Sequence, residues 1–186
     1  MAKTYLMKFV TDLKGRLDRI GGLPSHLPDS FPAGPNGEEL AFLAQFECIA
    51  PRMERPGIKL IQIYQDPVGE PWPHAVTLGH DARENIEQAG LRHPDLSRYE
   101  IIWNEYEEPV EPFDWEGVEA LSESEEGILQ SAKAGGLCYL DSTINSDEQF
   151  LLQLPEGDLS TNKRIFGGLT LLVVLNSNGE VEALLG

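Results

Sequence analysis

With 186 residues, 41% of them hydrophobic, the chain has the length and composition of one folded domain, not of two large ones or of an acidic disordered coil. Fourteen Lys and Arg stand against thirty-one Asp and Glu, a formal net charge of −17. That balance excludes a broad, salt-sensitive grip on a nucleic-acid backbone or an anionic membrane, and it points to a basic partner. Residues 1–10 lack the apolar run and small-residue cleavage site of a secretion signal, and no apolar stretch approaches the ~20 residues that cross a bilayer, so a cytoplasmic protein without membrane association is expected. Cys48 and Cys138 lie outside any Cys-x-x-Cys pattern and are expected to be reduced and buried.

In chain order, residues 40–49 (LAFLAQFECI) read as a strand, and residues 58–65 alternate in the same way. Asp66-Pro67-Val68-Gly69 supplies turn residues, and 75–78 and 99–103 give two further extended segments. Between them, residues 81–89 lack Pro and Gly and offer Asp81 as a cap, which predicts a short helix. Towards the C-terminus 149–154 and 165–175 are strand-like, and Asn176-Ser177-Asn178-Gly179 followed by 180–185 predicts a hairpin. The expected class is α+β, mainly antiparallel sheet.

The two ends of the chain echo each other. Gly21-Gly22-Leu23 precedes Phe42-Leu43-Ala44-Gln45-Phe46, and Gly135-Gly136-Leu137 precedes Phe150-Leu151-Leu152-Gln153-Leu154. A single domain over 1–186 is expected, with an internal duplication relating 15–80 to 130–186 across an acidic crossover at 104–126. A glutamine within an apolar strand needs hydrogen-bond partners once buried.

These same residues carry a family resemblance. Arg19-Ile20-Gly21-Gly22-Leu23-Pro24, Leu27-Pro28-Asp29-Ser30-Phe31-Pro32 and Gly37-Glu38-Glu39-Leu40-Ala41-Phe42-Leu43-Ala44-Gln45-Phe46 resemble the opening signature of the YwqG-like bacterial family of unknown function. Ala134-Gly135-Gly136, Phe150-Leu151-Leu152-Gln153-Leu154 and Phe166-Gly167-Gly168 resemble its second half more loosely. Phe31 stands where the family has Trp and Gly168 where it has Asp. The resemblance implies a sheet-rich α+β fold of two related halves. It also brings in the proposal that some members are immunity partners of secreted toxins, and it implies no catalytic activity.

Catalytic spacing is absent from the sequence. His26, His74, His80 and His93 form no metal-ligand pattern; His26, His74 and His93 sit in turn settings suited to exposed side chains, and His80 adjoins Asp81. Cys138 is followed by no histidine, Cys48 falls on an apolar strand face, and no Gly-x-Ser-x-Gly elbow, phosphate loop or dinucleotide fingerprint occurs. No enzyme, no cofactor and no metal site is therefore expected.

What stands out is residues 105–126, ten acids in twenty-two positions without Lys or Arg, with Tyr106, Phe113 and Trp115 among them and Trp103 just before. Charge steers a partner over a Debye length of ~8 Å and aromatic area holds it. Trp103, Glu105, Glu107, Glu108, Asp114, Trp115 and Glu116 are the expected partner-binding residues. The corresponding function is an immunity protein that occludes the active site of a basic secreted toxin domain. The alternative is an enzyme or small-ligand binder with its site between the two halves, near Gln45 and Gln153.

Overall fold

The computed structural model describes residues 2–68, 72–108, 123–138, 140, 143–159 and 163–186. Its strands are β1 (Ala2–Val10), β2 (Arg19–Ile20), β3 (Ala41–Glu47), β4 (Leu60–Gln65), β5 (Pro73–Leu78), β6 (Leu91–Arg92), β7 (Tyr99–Glu108), β8 (Lys133–Gly135), β9 (Gln149–Pro155), β10 (Thr170–Leu175) and β11 (Val181–Leu185). They form one sheet in the order β11-β10-β9-β8-β1-β7-β2-β3-β4-β5, with β6 added beside β3. β11 packs against β5 at the far end of that path, so the sheet curls into a nearly closed barrel.

This overturns the α+β expectation. Among the described residues one short α-helix occurs, α1 (Glu123–Gln130), with a 3-10 turn at Glu156–Asp158, and every strand pairing except β3 with β6 is antiparallel. The helix expected at 81–89 does not form. Asn85 competes for the backbone there: its Oδ1 accepts the Ala89 N–H at 2.8 Å while its Nδ2 donates to Ala89 O and Pro24 O, and Ile86 is left 83% exposed with no apolar stripe to bury. The strand expected from 165 begins only at Thr170, because Gly167 and Gly168 adopt φ of 67° and 92°. The hairpin turn at 176–179 is present, with Asn176 Oδ1 accepting the N–H groups of Asn178 and Glu180.

The barrel core is Ile20, Leu43, Ala44, Phe46, Ile61, Ile63, Ile101, Leu152, Leu154, Leu171 and Val173 with their neighbours. β3 is buried along nearly its whole length, Gln45 included, because it is covered on both faces. Inside it meets this core. Outside, Phe42 and Tyr64 pack under the 21–40 loop, with the Phe31 ring edge-on to Tyr64 at 6.2 Å and Tyr64 edge-on to Phe42 at 5.7 Å.

The path reads alike from its two ends. β2 pairs with β3 through Arg19 opposite Gln45 and Ile20 opposite Ala44, and β8 pairs with β9 through Lys133 opposite Gln153 and Ala134 opposite Leu152. Each short strand then meets one member of the central β1–β7 ribbon, whose register places Lys8 opposite Ile102.

Candidate functional site

The β1–β7 ribbon positions the acidic residues. Successive side chains of a strand point to opposite faces. Ile101 and Trp103 turn inward to the core with their cross-strand neighbours Phe9 and Met7, whereas Ile102, Asn104 and Tyr106 lie on the outer face and are exposed. Beyond Trp103 the inward positions Glu105 and Glu107 run past the end of the core and reach water.

Trp103 is therefore part of the fold. The Arg52 guanidinium lies over its ring at 4.1 Å, and Arg52 in turn donates Nη2 to both Asp18 carboxylate oxygens at 3.1 Å and to Glu47 O at 2.7 Å. Burial pushes the Asp18 carboxyl above its ordinary value, with Arg52 opposing. Glu105 is exposed and takes a 2.6 Å hydrogen bond from Lys3, which lowers its pKa and raises that of the lysine. Glu107 and Tyr106 are exposed beside it.

Glu108 belongs elsewhere. Only 3% exposed, it accepts a short hydrogen bond from the fully buried Lys133 and another from the Leu137 N–H at 2.7 Å. Burial pushes the Lys133 ammonium down, against the pull of Glu108. Asp114, Trp115 and Glu116 lie outside the described residues. The structure thus brings Glu105 and Glu107 together on the surface and assigns Trp103 and Glu108 to packing. It adds Tyr106, which the alternation of the strand could have indicated.

The two echo glutamines are wholly enclosed. Gln45 donates Nε2 to Leu17 O at 2.7 Å and to Ser25 Oγ at 2.6 Å, and its Oε1 accepts from Ser25 N–H and from Gln62 Nε2. Gln62 donates also to His26 O and accepts from Tyr64 Oη. This network pins the loop after Gly21-Gly22 to the outer face of β3 and β4, leaving no donor or acceptor of Gln45 for a ligand.

His26 and His93, expected to be exposed, are 4% and 5% exposed, while His74 and His80 are exposed. His26 Nδ1 meets Ser25 Oγ and its Nε2 meets Lys59 Nζ, both at 2.9 Å; burial first and Lys59 second hold its pKa below the ordinary value. Cys48 is buried and its thiol is pushed up to about 11, chiefly by burial, which leaves it un-ionised at neutral pH; Cys138 is half-buried. Among the described residues no group of three His, Cys, Asp or Glu converges as a metal site would require, and no helix is long and apolar enough to cross a membrane.

No protein-family model matches the chain, and no curated protein matches it.

Proposed function

We propose that the chain is a binding protein that docks on a basic protein domain, as an immunity protein does when it covers the active site of a secreted toxin. The observation that carries this reading is the exposed trio Glu105, Tyr106 and Glu107, where the β1–β7 ribbon leaves the core and leads into the acid-rich stretch 109–122. Negative charge at the inward positions of this strand end, with an exposed aromatic on its outer face, supplies both steering and contact area. The resemblance of residues 19–46 to the YwqG-like family supports the same reading.

Its test is copurification of a basic protein domain with the chain at low salt, followed by isothermal calorimetry of the two purified proteins in low and physiological salt and by growth of cells that coexpress them. Tight, salt-sensitive association with protection of growth is expected. A partner domain that neither binds nor loses its toxicity overturns the proposal.

A further inference from the structure

The Gly-Gly-Leu turns after β2 and β8 share a backbone and differ in what fills them. Gly21 and Gly22 have φ of 66° and 75°, and Gly135 and Gly136 have 67° and 70°. Successive left-handed residues leave following N–H groups turned into a concavity that suits an anion. After β8 the anion is part of the protein. The Glu108 carboxylate takes the Leu137 N–H on one oxygen and Lys133 on the other, and a Cβ on Gly136 would collide with it.

After β2 the corresponding cation is Arg19, opposite Gln45 as Lys133 is opposite Gln153, and the corresponding amide is Leu23. Among the described residues no carboxylate arrives there. The strand that would have to bring one is β1, which ends at Val10; the chain beyond it turns aside, and the Lys14 and Gly15 N–H groups bind Glu100. Over Gly22 lies instead the aliphatic stem of Arg98, 3.2–3.3 Å from where a Cβ would stand.

What remains is a cleft of about 350 Å³ whose lining includes Arg19, Arg92, Arg98, Leu23, Ser25 and Asn85 and, among the described residues, no Asp or Glu. Arg19 is 7% exposed, its Nη2 is bound to Arg16 O, and its Nε has no hydrogen-bond partner. The Leu23 N–H likewise donates to no group among the described residues. Glu100 holds Arg98 at 3.4 Å and Arg16 at 3.1 Å from outside the lining. Three guanidiniums thus line one cleft in a chain of net charge −17, with the Glu100 and Asp18 carboxylates acting on Arg19 from behind the lining. An unpartnered buried guanidinium nitrogen is costly unless a ligand satisfies it.

We propose that this cleft binds a small dicarboxylate. One carboxylate takes the Leu23 N–H and Arg19, as Glu108 takes Leu137 and Lys133, and the second is held by Arg92 and Arg98. Charge-assisted, fork-shaped contacts of this kind are what arginine supplies best.

The test is a titration of the ¹⁵N-labelled chain with glutarate, followed by its amide and arginine Nε–H resonances. Saturable shifts at Leu23 N–H and Arg19 Nε–H are expected, with Leu137 N–H unmoved because Glu108 already fills its turn. Arg92 is exposed, so Arg92→Gln leaves the core intact, while Arg98→Gln also takes an ion pair from the buried Glu100 and is read beside its melting temperature. Each should weaken glutarate binding about tenfold, the scale of one charge-assisted hydrogen bond. Absence of saturable shifts, or equal affinity in Arg98→Gln, overturns the proposal. Saturation of the same resonances at a lower concentration of inorganic phosphate than of glutarate overturns the carboxylate assignment.

Discussion

Gln45 and Gln153 make the same hydrogen bond in the two flanks of the barrel: each donates Nε2 to the carbonyl two residues before the residue it pairs with, Leu17 O before Arg19 and Ser131 O before Lys133. Around them β1 stands to β8–β11 as β7 stands to β2–β5. We propose on this basis that the barrel descends from two copies of one five-stranded unit that meet at the central ribbon.

Replacing either glutamine should therefore cost stability by the same mechanism. Gln45→Leu strands the carbonyl of Leu17, the amide of Ser25 and the Gln62 side chain, and each buried group left without a partner costs about 1–3 kcal/mol. Urea denaturation should show a loss of roughly 3 kcal/mol or more for Gln45→Leu, and a clear loss for Gln153→Leu, which strands Leu129 O and Ser131 O. A change near zero in Gln45→Leu would show that this network does not hold the 21–40 loop in place.

The Glu108–Lys133 pair makes a second, sharper case. Glu108→Ala leaves the fully buried Lys133 ammonium alone, and breaking a buried pair on one side costs about 3–5 kcal/mol. Lys133→Met combined with Glu108→Leu removes both charges, so the double variant should be far more stable than the sum of its single changes, as a double-mutant cycle in urea would report. Additive losses would mean that the two charges are not coupled.

How far the sequence reaches can be seen at these positions. Strands β3, β4, β9 and β10 follow from alternation and β-branched runs, and the 176–179 turn follows from its asparagines. β1 and β2 are missed. Only pairing within a formed barrel stabilises a two-residue strand such as β2, and Lys3, Thr4 and Lys8 interrupt the apolar pattern of β1. The second flank takes its central strand, β1, from the opposite end of the chain, so no window over 130–186 contains the whole unit. For the acidic stretch, composition identifies the charge but not its burial. Glu108 differs from Glu107 only in parity along β7, and parity decides which of them meets Lys133. The basic cleft is invisible to counting, because Arg19, Arg92 and Arg98 are dispersed through a strongly acidic chain and converge only through the pairing of β2 with β7 and of β6 with β3.

The buried histidines set a pH dependence. Burial holds His26 and His93 below their ordinary value of 6.5, so the unfolded chain takes up these protons more readily than the folded one. Stability is complete above about pH 6.5 and falls as pH drops below it. Melting temperatures between pH 7.5 and 5.5 should decline, and His26→Gln should flatten the decline relative to the unsubstituted chain. An unchanged slope in His26→Gln would leave His93 or other groups as its source.

At the acidic end of the ribbon, packing and docking can be told apart by substitution. Trp103 lies under Arg52 and against Met7 and the core, so Trp103→Ala should lower stability by about 3–5 kcal/mol and weaken partner binding only as far as the chain unfolds. Glu105 and Glu107 are exposed, and reversing both to Lys should shift stability by less than about 1 kcal/mol, since surface ion pairs contribute little. If they steer a basic partner, that reversal should slow association and flatten its dependence on salt while leaving dissociation nearly unchanged, because rim charges act on the encounter. Tyr106→Ala should do the opposite, speeding dissociation through lost contact area. Stopped-flow association at several ionic strengths, read beside the melting temperature of each variant, separates the outcomes. An association rate that the double reversal does not move would remove the acidic edge of β7 from the docking surface.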